Sequence, residues 1–400
     1  MDIVIVSQYL RNIENLDGNN SRFIYLAKML TESSENQVEI VTSRFLHAPK
    51  RCAEKVEQPR GYKITALDEP GYPKNVCLTR FYSHAILAKN ISNYLKNRKK
   101  PDCIYCAIPS LDVAKMVAKY CKEKDVRFIV DIQDLWPEAF RMVFNVPVLS
   151  DLVFKPMDKT ANQIYEQADE IIAVSKTYCE RALQANKKVN QTHTVFLGTR
   201  LEDFDENAKG ASSVEFDTDE LKLAYCGTLG SSYDLTCVID ALDILNQKGN
   251  EAPLFVVMGD GPRKDEFVKY AEKKKVKTLF TGSLAYADMC ATLCKCDITV
   301  NPITRGAAQS IINKHGDYAA SGLPVLSTQE CEEYRNLVDE YNMGFNCANN
   351  DPQDLAEKLI CLIDNRELRL EMGKNSRRCA EERFNREYSY KEIIDTLING

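Results

Sequence analysis

The sequence predicts an α/β protein built from two doubly wound parallel sheets. Three observations carry that expectation. Ten short apolar runs recur along the 400 residues, and they are continuous rather than alternating, which is how strands buried on both faces read. Helical stretches separate them, and strand–helix alternation argues for open, doubly wound sheets rather than a closed barrel. The alternation lapses near residues 185–220 and restarts at Leu221, and a chain of this length suits two domains of roughly 200 residues each.

In the first half the strands are IVIVSQ (3–8), VEIVTS (38–43), CIYCAI (103–108), FIVDIQ (128–133) and EIIAVS (170–175). Helices are expected at Arg22–Leu30, His84–Leu95 and Leu111–Lys124, where apolar residues recur at helical spacing. The second half gives strands LKLAYCG (221–227), LFVVMGD (254–260), KTLFTG (277–282), ITVNPI (298–303) and PVLST (324–328), with helices at Leu235–Gln247 and Asp354–Asp364. Between the halves, NKKVNQTH leads to VFLGTRLEDF and the polar DENAKGASSVEFDTDE, which reads as a linker with a hinge. Ligand sites of paired α/β domains are expected in a cleft at the carboxyl ends of the strands.

Composition excludes several classes. The net charge of −6 argues against nucleic-acid binding. Its distribution is uneven: residues 1–200 carry 29 Lys+Arg against 23 Asp+Glu (+6), and residues 201–400 carry 23 against 35 (−12). The run Lys96, Arg98, Lys99, Lys100 reads first as a solvated helix end, and second as a face for anionic lipid. No apolar leader opens the chain, and no run approaches the roughly 20 residues of a membrane helix. With 15 scattered cysteines, the expectation is a cytoplasmic protein with reduced thiols. Cys103 and Cys106 have CxxC spacing inside an expected strand, and Cys290, Cys294 and Cys296 lie on a helix; both groups read as packing. The four histidines, His47, His84, His193 and His315, show no metal spacing, so no metal is expected. A phosphate-loop GxxxxGK[ST], a GxSxG and a first-turn GxGxxG are absent from the sequence, which weakens kinase, hydrolase and dehydrogenase readings.

The candidate chemistry lies at strand ends. Gly18-Asn19-Asn20-Ser21 precedes a helix, where backbone N–H groups can approach an anionic or hydroxylated ligand, although most such loops are only turns. Asp134 and Glu138 flank Pro137 and the only tryptophan, Trp136. An acid there can orient or deprotonate an acceptor hydroxyl; the other reading is a helix start with Asp as cap and Glu as dipole partner. The second half has three successive glycine turns: Gly227-Thr228-Leu229-Gly230, Gly259-Asp260-Gly261 and Thr281-Gly282-Ser283. Small residues at such turns let backbone approach a diphosphate. The segment Gln309–Leu326 reads as loop, short helix and buried strand, with Lys314 and Asp317 one turn apart. A lysine beside a helix N-terminus suits phosphate, and an acid one turn on can accept hydrogen bonds from sugar hydroxyls.

The GTLG turn, the GDGP turn, FTGSL, the NK-x-x-D-Y-x-x-x-G-L-P-V segment and the DLWPE turn, in this order and spacing, resemble the GT-B glycosyltransferases of family GT4. The pattern is similar to that of bacterial capsule and O-antigen transferases with a DLWPE turn, over nearly the whole chain. The resemblance implies two Rossmann-like domains facing a central cleft. Residues 1–195, with a crossover helix at 380–400, would bind the acceptor; 196–215 would be the hinge; 216–379 would bind a nucleotide-diphosphate sugar. The activity implied is retaining, metal-independent and cofactor-free transfer from a UDP-sugar to a lipid-linked or saccharide acceptor in surface polysaccharide synthesis. Peripheral contact with the inner face of the plasma membrane, through the basic half, would follow.

On the same resemblance Lys314 neutralises the departing diphosphate, with Arg305 as helper, and Asp317 holds the ribose hydroxyls. Gly227, Thr228 and Gly230 line the phosphates. Gly259, Gly261, Gly282 and Asn313 complete the donor site, with the region of Gly282 meeting the base. Asp134 lies near the reacting sugar, and Gly18, Asn19, Asn20 and Glu138 line the acceptor side. Three positions depart from the family pattern. Gln309 stands where the first acid of an E-x7-E pair is usual. Ser231, Ser232 and Asp234 stand where relatives carry basic residues after the glycine turn, and Leu197-Gly198-Thr199-Arg200 replaces N-G-V-D. Two alternatives stay open: a nucleotide-sugar 2-epimerase, which shares the two-domain architecture, and a non-catalytic sugar-nucleotide-binding subunit, which the Gln309 and Ser231/Ser232 departures allow.

Overall fold

The computed structural model describes residues 1–16, 21–32, 36–75, 77–143, 149–216, 220–306 and 311–399. The chain divides into two compact units, Met1–Val195 with Tyr390–Gly400, and Phe196–Ser389.

The first unit contains β1 (Asp2–Val6), β2 (Gln37–Ser43), β3 (Phe45–Leu46), β4 (Arg51–Cys52), β5 (Lys63–Leu67), β6 (Cys103–Ile108), β7 (Arg127–Ile132), β8 (Glu170–Ala173) and β9 (His193–Thr194). Seven of these form a parallel sheet in the order β5-β2-β1-β6-β7-β8-β9, while β3 and β4 make a small antiparallel ribbon. Val4 sits between Glu39 of β2 and Ile104 of β6. The strand order therefore reverses between β1 and β6, and loops diverge at their carboxyl ends, where α/β sheets hold ligands. Ile3, Ile5, Ile40 and Tyr105 of the sheet pack against Phe23, Leu26 and Leu30 of the helix Arg22–Glu32 and against Tyr390, Ile393 and Leu397 of the last helix. That apolar face holds the returning C-terminal helix. Leu111, Ala114, Val117, Ala118 and Cys121 form the buried stripe of Leu111–Lys124, which Asp125 ends in the left-handed conformation.

The second unit contains β10 (Lys222–Cys226), β11 (Leu254–Met258), β12 (Thr278–Gly282), β13 (Ile298–Asn301), β14 (Val325–Ser327) and β15 (Gly344–Asn346). They form one parallel sheet in the order β12-β11-β10-β13-β14-β15, whose switch point lies between β10 and β13. The helix Leu235–Gln247 is capped by Asp234, whose carboxylate accepts from the Cys237 N–H at 3.1 Å. Asp351 caps Pro352–Asp364 in the same way, with proline in the first turn.

All ten strands expected from the sequence are present with their ends within a few residues of expectation, and the five expected helices are present, three of them longer than expected. The alternation did not reveal β5, β9, β15 or the β3–β4 ribbon: three have only two residues each, β15 has three, and β5 is half-exposed. Two boundaries differ. The stretch read as a free linker contains the helix Leu201–Ala208, whose Leu201 and Phe204 are buried in the second unit because apolar residues stand three apart among the acids. Residues 380–389 also belong to the second unit, where Ala380 and Phe384 are buried, and the chain rejoins the first unit at Tyr390. Among the described residues, no helix is long and apolar enough to cross a membrane.

Candidate functional site

At the carboxyl ends of β10 to β13 four loops are joined through backbone. The Gly227 N–H donates to the Met258 carbonyl at 3.0 Å, and the Leu229 N–H donates to that of Asp260 at 2.9 Å. A Cβ on Gly259 would stand 1.8 Å from the Gly227 oxygen, and one on Gly261 would stand 2.4 Å from the Leu229 oxygen. Gly259 and Gly261, read from the sequence as ligand contacts, are thus required for one loop to lie against the next. Gly227 adopts φ +147° and Gly282 φ +76°, and Gly282 bridges Gly259. On the other side, the Asp234 N–H donates to Pro302 at 2.8 Å and the Thr304 N–H to Ser232 at 3.0 Å. Asp234, one of the departures noted above, therefore serves as a helix cap. Thr228 is exposed on this platform and Gly230 partly so.

The helix Asn313–Ala320 brings a cation to it. Lys314 is 8% exposed, and its Nζ lies 3.9 Å from the Tyr233 ring centre and 4.7 Å from that of Tyr225. The Tyr225 hydroxyl donates to the Thr228 carbonyl at 2.9 Å, so the same ring touches the glycine turn. Lys314 Nζ makes no hydrogen bond among the described residues. Burial holds its pKa well below the ordinary lysine value, against a weaker raising influence from Cys226. The helix start is fixed from beneath: the Ile312 N–H donates to His315 Nδ1 at 2.9 Å, and His315 Nε2 meets Asn301 Nδ2 at 3.0 Å.

Asp317 faces other neighbours. Its Oδ1 accepts from the Thr199 and Tyr286 hydroxyls, each at 2.9 Å, while burial raises its pKa against those two bonds. Gly316 lets Thr199 approach, since a Cβ there would stand 2.6 Å from Thr199 Oγ1. Lys314 and Asp317 are thus one turn apart without forming a pair. Asn313 is exposed at the first helical position, and Arg305 is exposed in the turn after β13. Gln309 lies outside the described residues.

In the first unit Asp134 is half-buried beyond β7, and Trp136 Nε1 donates to its Oδ2 at 3.3 Å. Burial pushes the Asp134 carboxyl up to about 6, with the Trp136 bond opposing. Glu138, read as an acceptor contact, is the first helical residue of Glu138–Val143; its Oε1 pairs with Arg181 at 2.6 Å, while its Oε2 is buried without a hydrogen bond among the described residues. Gly18, Asn19 and Asn20 lie outside the described residues. Within the basic run, Arg98 is paired with Asp2 at 2.8 Å and Glu39 at 3.2 Å, so its charge is spent inside the unit.

No role was read from the sequence for Tyr9, Tyr72 or Arg80, and His47 and His84 were read only as lacking metal spacing. They meet beside Trp136, with His84 stacked on the indole at 6.0 Å and Arg80 4.9 Å from it. They come from separate loops and one helix start, so no spacing in the sequence marked them. Among the described residues, no group of three or more His, Cys, Asp or Glu is placed to hold a metal ion.

Known proteins are similar to this chain in sequence and in fold. Residues 207–379 match the family model "Glycosyl transferases group 1". The uncharacterized glycosyltransferase MJ1069 of Methanocaldococcus jannaschii is 24% identical over 247 residues, which cover 60% of this chain and 62% of that relative. The chain thus spans less than two thirds of the length of the curated relatives it matches. Among solved structures, Anabaena Alr3699/HepE in complex with UDP and glucose superposes with a TM-score of 0.69 at 16% identity, over 99% of both chains. WaaG, a glycosyltransferase involved in lipopolysaccharide biosynthesis, gives 0.67 at 15% identity over 100% of both. The chain accordingly has the GT-B fold, two Rossmann-like units with parallel sheets, and its residues 207–379 are similar to the group 1 glycosyl transferases.

Proposed function

We propose that this chain is a retaining, metal-independent glycosyltransferase of the GT4 type. It moves a hexose from a UDP-sugar to a lipid-linked or saccharide acceptor during surface polysaccharide assembly at the cytoplasmic membrane face. The observation that carries the reading is Lys314, a buried lysine without a hydrogen bond among the described residues, set against the glycine platform at the switch point of the second sheet. A diphosphate placed there meets the Gly227, Thr228 and Gly230 backbone, the start of Asn313–Ala320 and the Lys314 amine. Arg305 is exposed nearby in sequence to add charge, and Asp317 keeps Oδ2 for a ribose hydroxyl while Thr199 and Tyr286 hold Oδ1.

The chemistry is departure of the diphosphate with attack from the same face. Positive charge aimed at the leaving oxygen stabilises the transition state, and each such contact contributes about 2–4 kcal/mol. Burial disfavours the Lys314 ammonium, and a diphosphate placed beside it favours that charged form.

Asp134 is assigned to the acceptor side, where its ionised form orients the attacking hydroxyl. The rate should therefore rise with pH through an apparent pKa of about 6, and Asp134→Asn should lose both this limb and most turnover. The linked stability has a definite sign. The folded-state pKa is raised above the reference 3.8, so the favourable contribution is present below that value and is lost as pH rises through about 6. Asp134→Asn should raise the melting temperature at pH 7.5 relative to wild type but not at pH 3.5. A pH–rate profile with calorimetric melting at both pH values checks this; a flat wild-type profile between pH 5 and 8 contradicts the assignment.

The function is tested with a panel of UDP-, GDP- and dTDP-sugars, with and without membrane lipid extract, following nucleotide release. Lipid-stimulated release supports the transferase. Sugar isomerisation without acceptor supports the epimerase, and binding without turnover supports a silent subunit.

A further inference from the structure

Two segments of chain connect the units, and Asp317 is bonded to one of them. The chain enters the second unit at Phe196 and leaves it after Ser389. Inside that unit the two segments lie side by side, with Thr199 and Asn385 in a parallel bridge. The Thr199 N–H donates to the Phe384 carbonyl at 2.8 Å, and the Arg386 N–H donates to the Thr199 carbonyl at 3.2 Å. Arg386 is 2% exposed, and its Nε donates to the Leu197 and Gly198 carbonyls at 2.7 and 3.1 Å. Gly198 permits the close approach: it adopts φ +62°, and a Cβ there would stand 2.4 Å from the Phe384 oxygen.

The Thr199 side chain leads from this pairing to the site. It is buried, and its hydroxyl donates to Asp317 Oδ1. Tyr286, at the start of the helix Tyr286–Leu293 just beyond β12, donates to the same oxygen. Two donors fill the lone-pair sites of Oδ1. Asp317 is partly exposed, and its Oδ2 accepts no hydrogen bond among the described residues and stays open to solvent. A ligand that gives hydrogens to Asp317 therefore meets one defined oxygen, while the other is tied to a connecting segment. Where the N-G-V-D pattern has valine, which has no hydrogen to give, this chain has Thr199. The tie thus comes from this chain's own departure at that position.

We propose that Thr199 is a positioning residue for the bound nucleotide: it presents Asp317 Oδ2 to the ribose diol and carries the occupancy of that oxygen to the paired segments 197–199 and 384–386. Taking the ligand to be a nucleotide rests on the transferase reading; the tie between Asp317 and the connecting segments does not. A donor on each oxygen stops the carboxylate from turning. With Oδ1 fixed, Thr199 keeps its backbone pairing to Phe384 and Arg386, and those amides open less often when the site is filled.

Calorimetric titration of the full chain with UDP, and with a UDP analogue lacking both ribose hydroxyls, measures the diol directly. Wild type should bind UDP at least about tenfold more tightly than the analogue. Thr199→Val should lower that ratio at least about threefold, and Thr199→Ser, which keeps the hydroxyl, should preserve it. A residue with a purely structural role would weaken both ligands alike and leave the ratio unchanged. Hydrogen exchange, read by mass spectrometry on peptides covering 196–200 and 384–387, follows the connecting segments. UDP should slow it in wild type and Thr199→Ser but not in Thr199→Val, and inorganic pyrophosphate, which has no diol, should leave it unchanged. An equal ratio in wild type and Thr199→Val overturns the positioning role. Exchange unaffected by UDP in wild type, slowed as much in Thr199→Val, or slowed as much by pyrophosphate overturns the transmission. Any of these results alongside tight UDP binding confines the failure to Thr199. Wild type that does not bind UDP refutes the nucleotide reading, and this proposal with it.

Discussion

Lys314→Met lowers nucleotide-sugar turnover by about 30- to 1000-fold, the loss of one leaving-group contact of about 2–4 kcal/mol, and does not lower stability at neutral pH. Retained stability separates a functional lysine from a structural one. Lys314 makes no hydrogen bond among the described residues, and methionine matches its length and keeps contact with the Tyr225 and Tyr233 rings. Its folded-state pKa is depressed, so the linked stability is present above the ordinary value of 10.5 and is lost as pH falls through the folded-state value. At pH 7 wild type therefore carries a burden that the methionine variant lacks. The variant should melt at or above the wild-type temperature at pH 7, with the difference narrowing towards pH 10. Steady-state rates and calorimetric melting at both pH values test the pair of claims. Turnover like wild type removes Lys314 from the site, and a melting temperature lowered by many degrees makes it a structural residue.

Asp131→Ala destabilises the first unit by about 3–5 kcal/mol, because it leaves a buried guanidinium without its counter-ion. The Arg22 and Asp131 side chains are 2% and 0% exposed, and Arg22 Nε lies 3.0 Å from Asp131 Oδ2. Arg22 also donates to the Val195 carbonyl at 3.0 Å and lies 4.9 Å from the Tyr390 ring centre. One side chain thus joins the first helix, β7, the end of the first unit's main stretch and the returning C-terminal helix. The double variant Arg22→Met/Asp131→Leu should recover most of the loss, since it removes both charges. Urea unfolding of the two variants decides the matter, and a loss under about 1 kcal/mol in Asp131→Ala contradicts it.

The architecture was legible because parallel sheets buried on both faces demand continuous apolar runs, and β1, β6, β10, β11 and β13 have little else. The position of Lys314 beside the glycine turn was legible for a local reason: the turn and the helix start are each short contiguous motifs. What the sequence did not disclose depended on contacts between distant segments. Gly259 and Gly261 looked like ligand contacts, and only packing against Gly227 and Leu229 shows what excludes a side chain there. Asp317 looked free for a sugar, while its hydroxyl partners are 118 and 31 residues away. Arg80 and His84 had no motif at all, since their neighbours arrive from separate loops.

The central claim, that the platform around Gly227 and Lys314 receives a diphosphate, is tested most directly by calorimetric titration with UDP and with uridine, in wild type and Lys314→Met. The account expects wild type to bind UDP at least about a hundredfold more tightly than uridine, with that ratio falling by at least about tenfold in the variant and uridine affinity unchanged. An equal UDP-to-uridine ratio in the two proteins would contradict it.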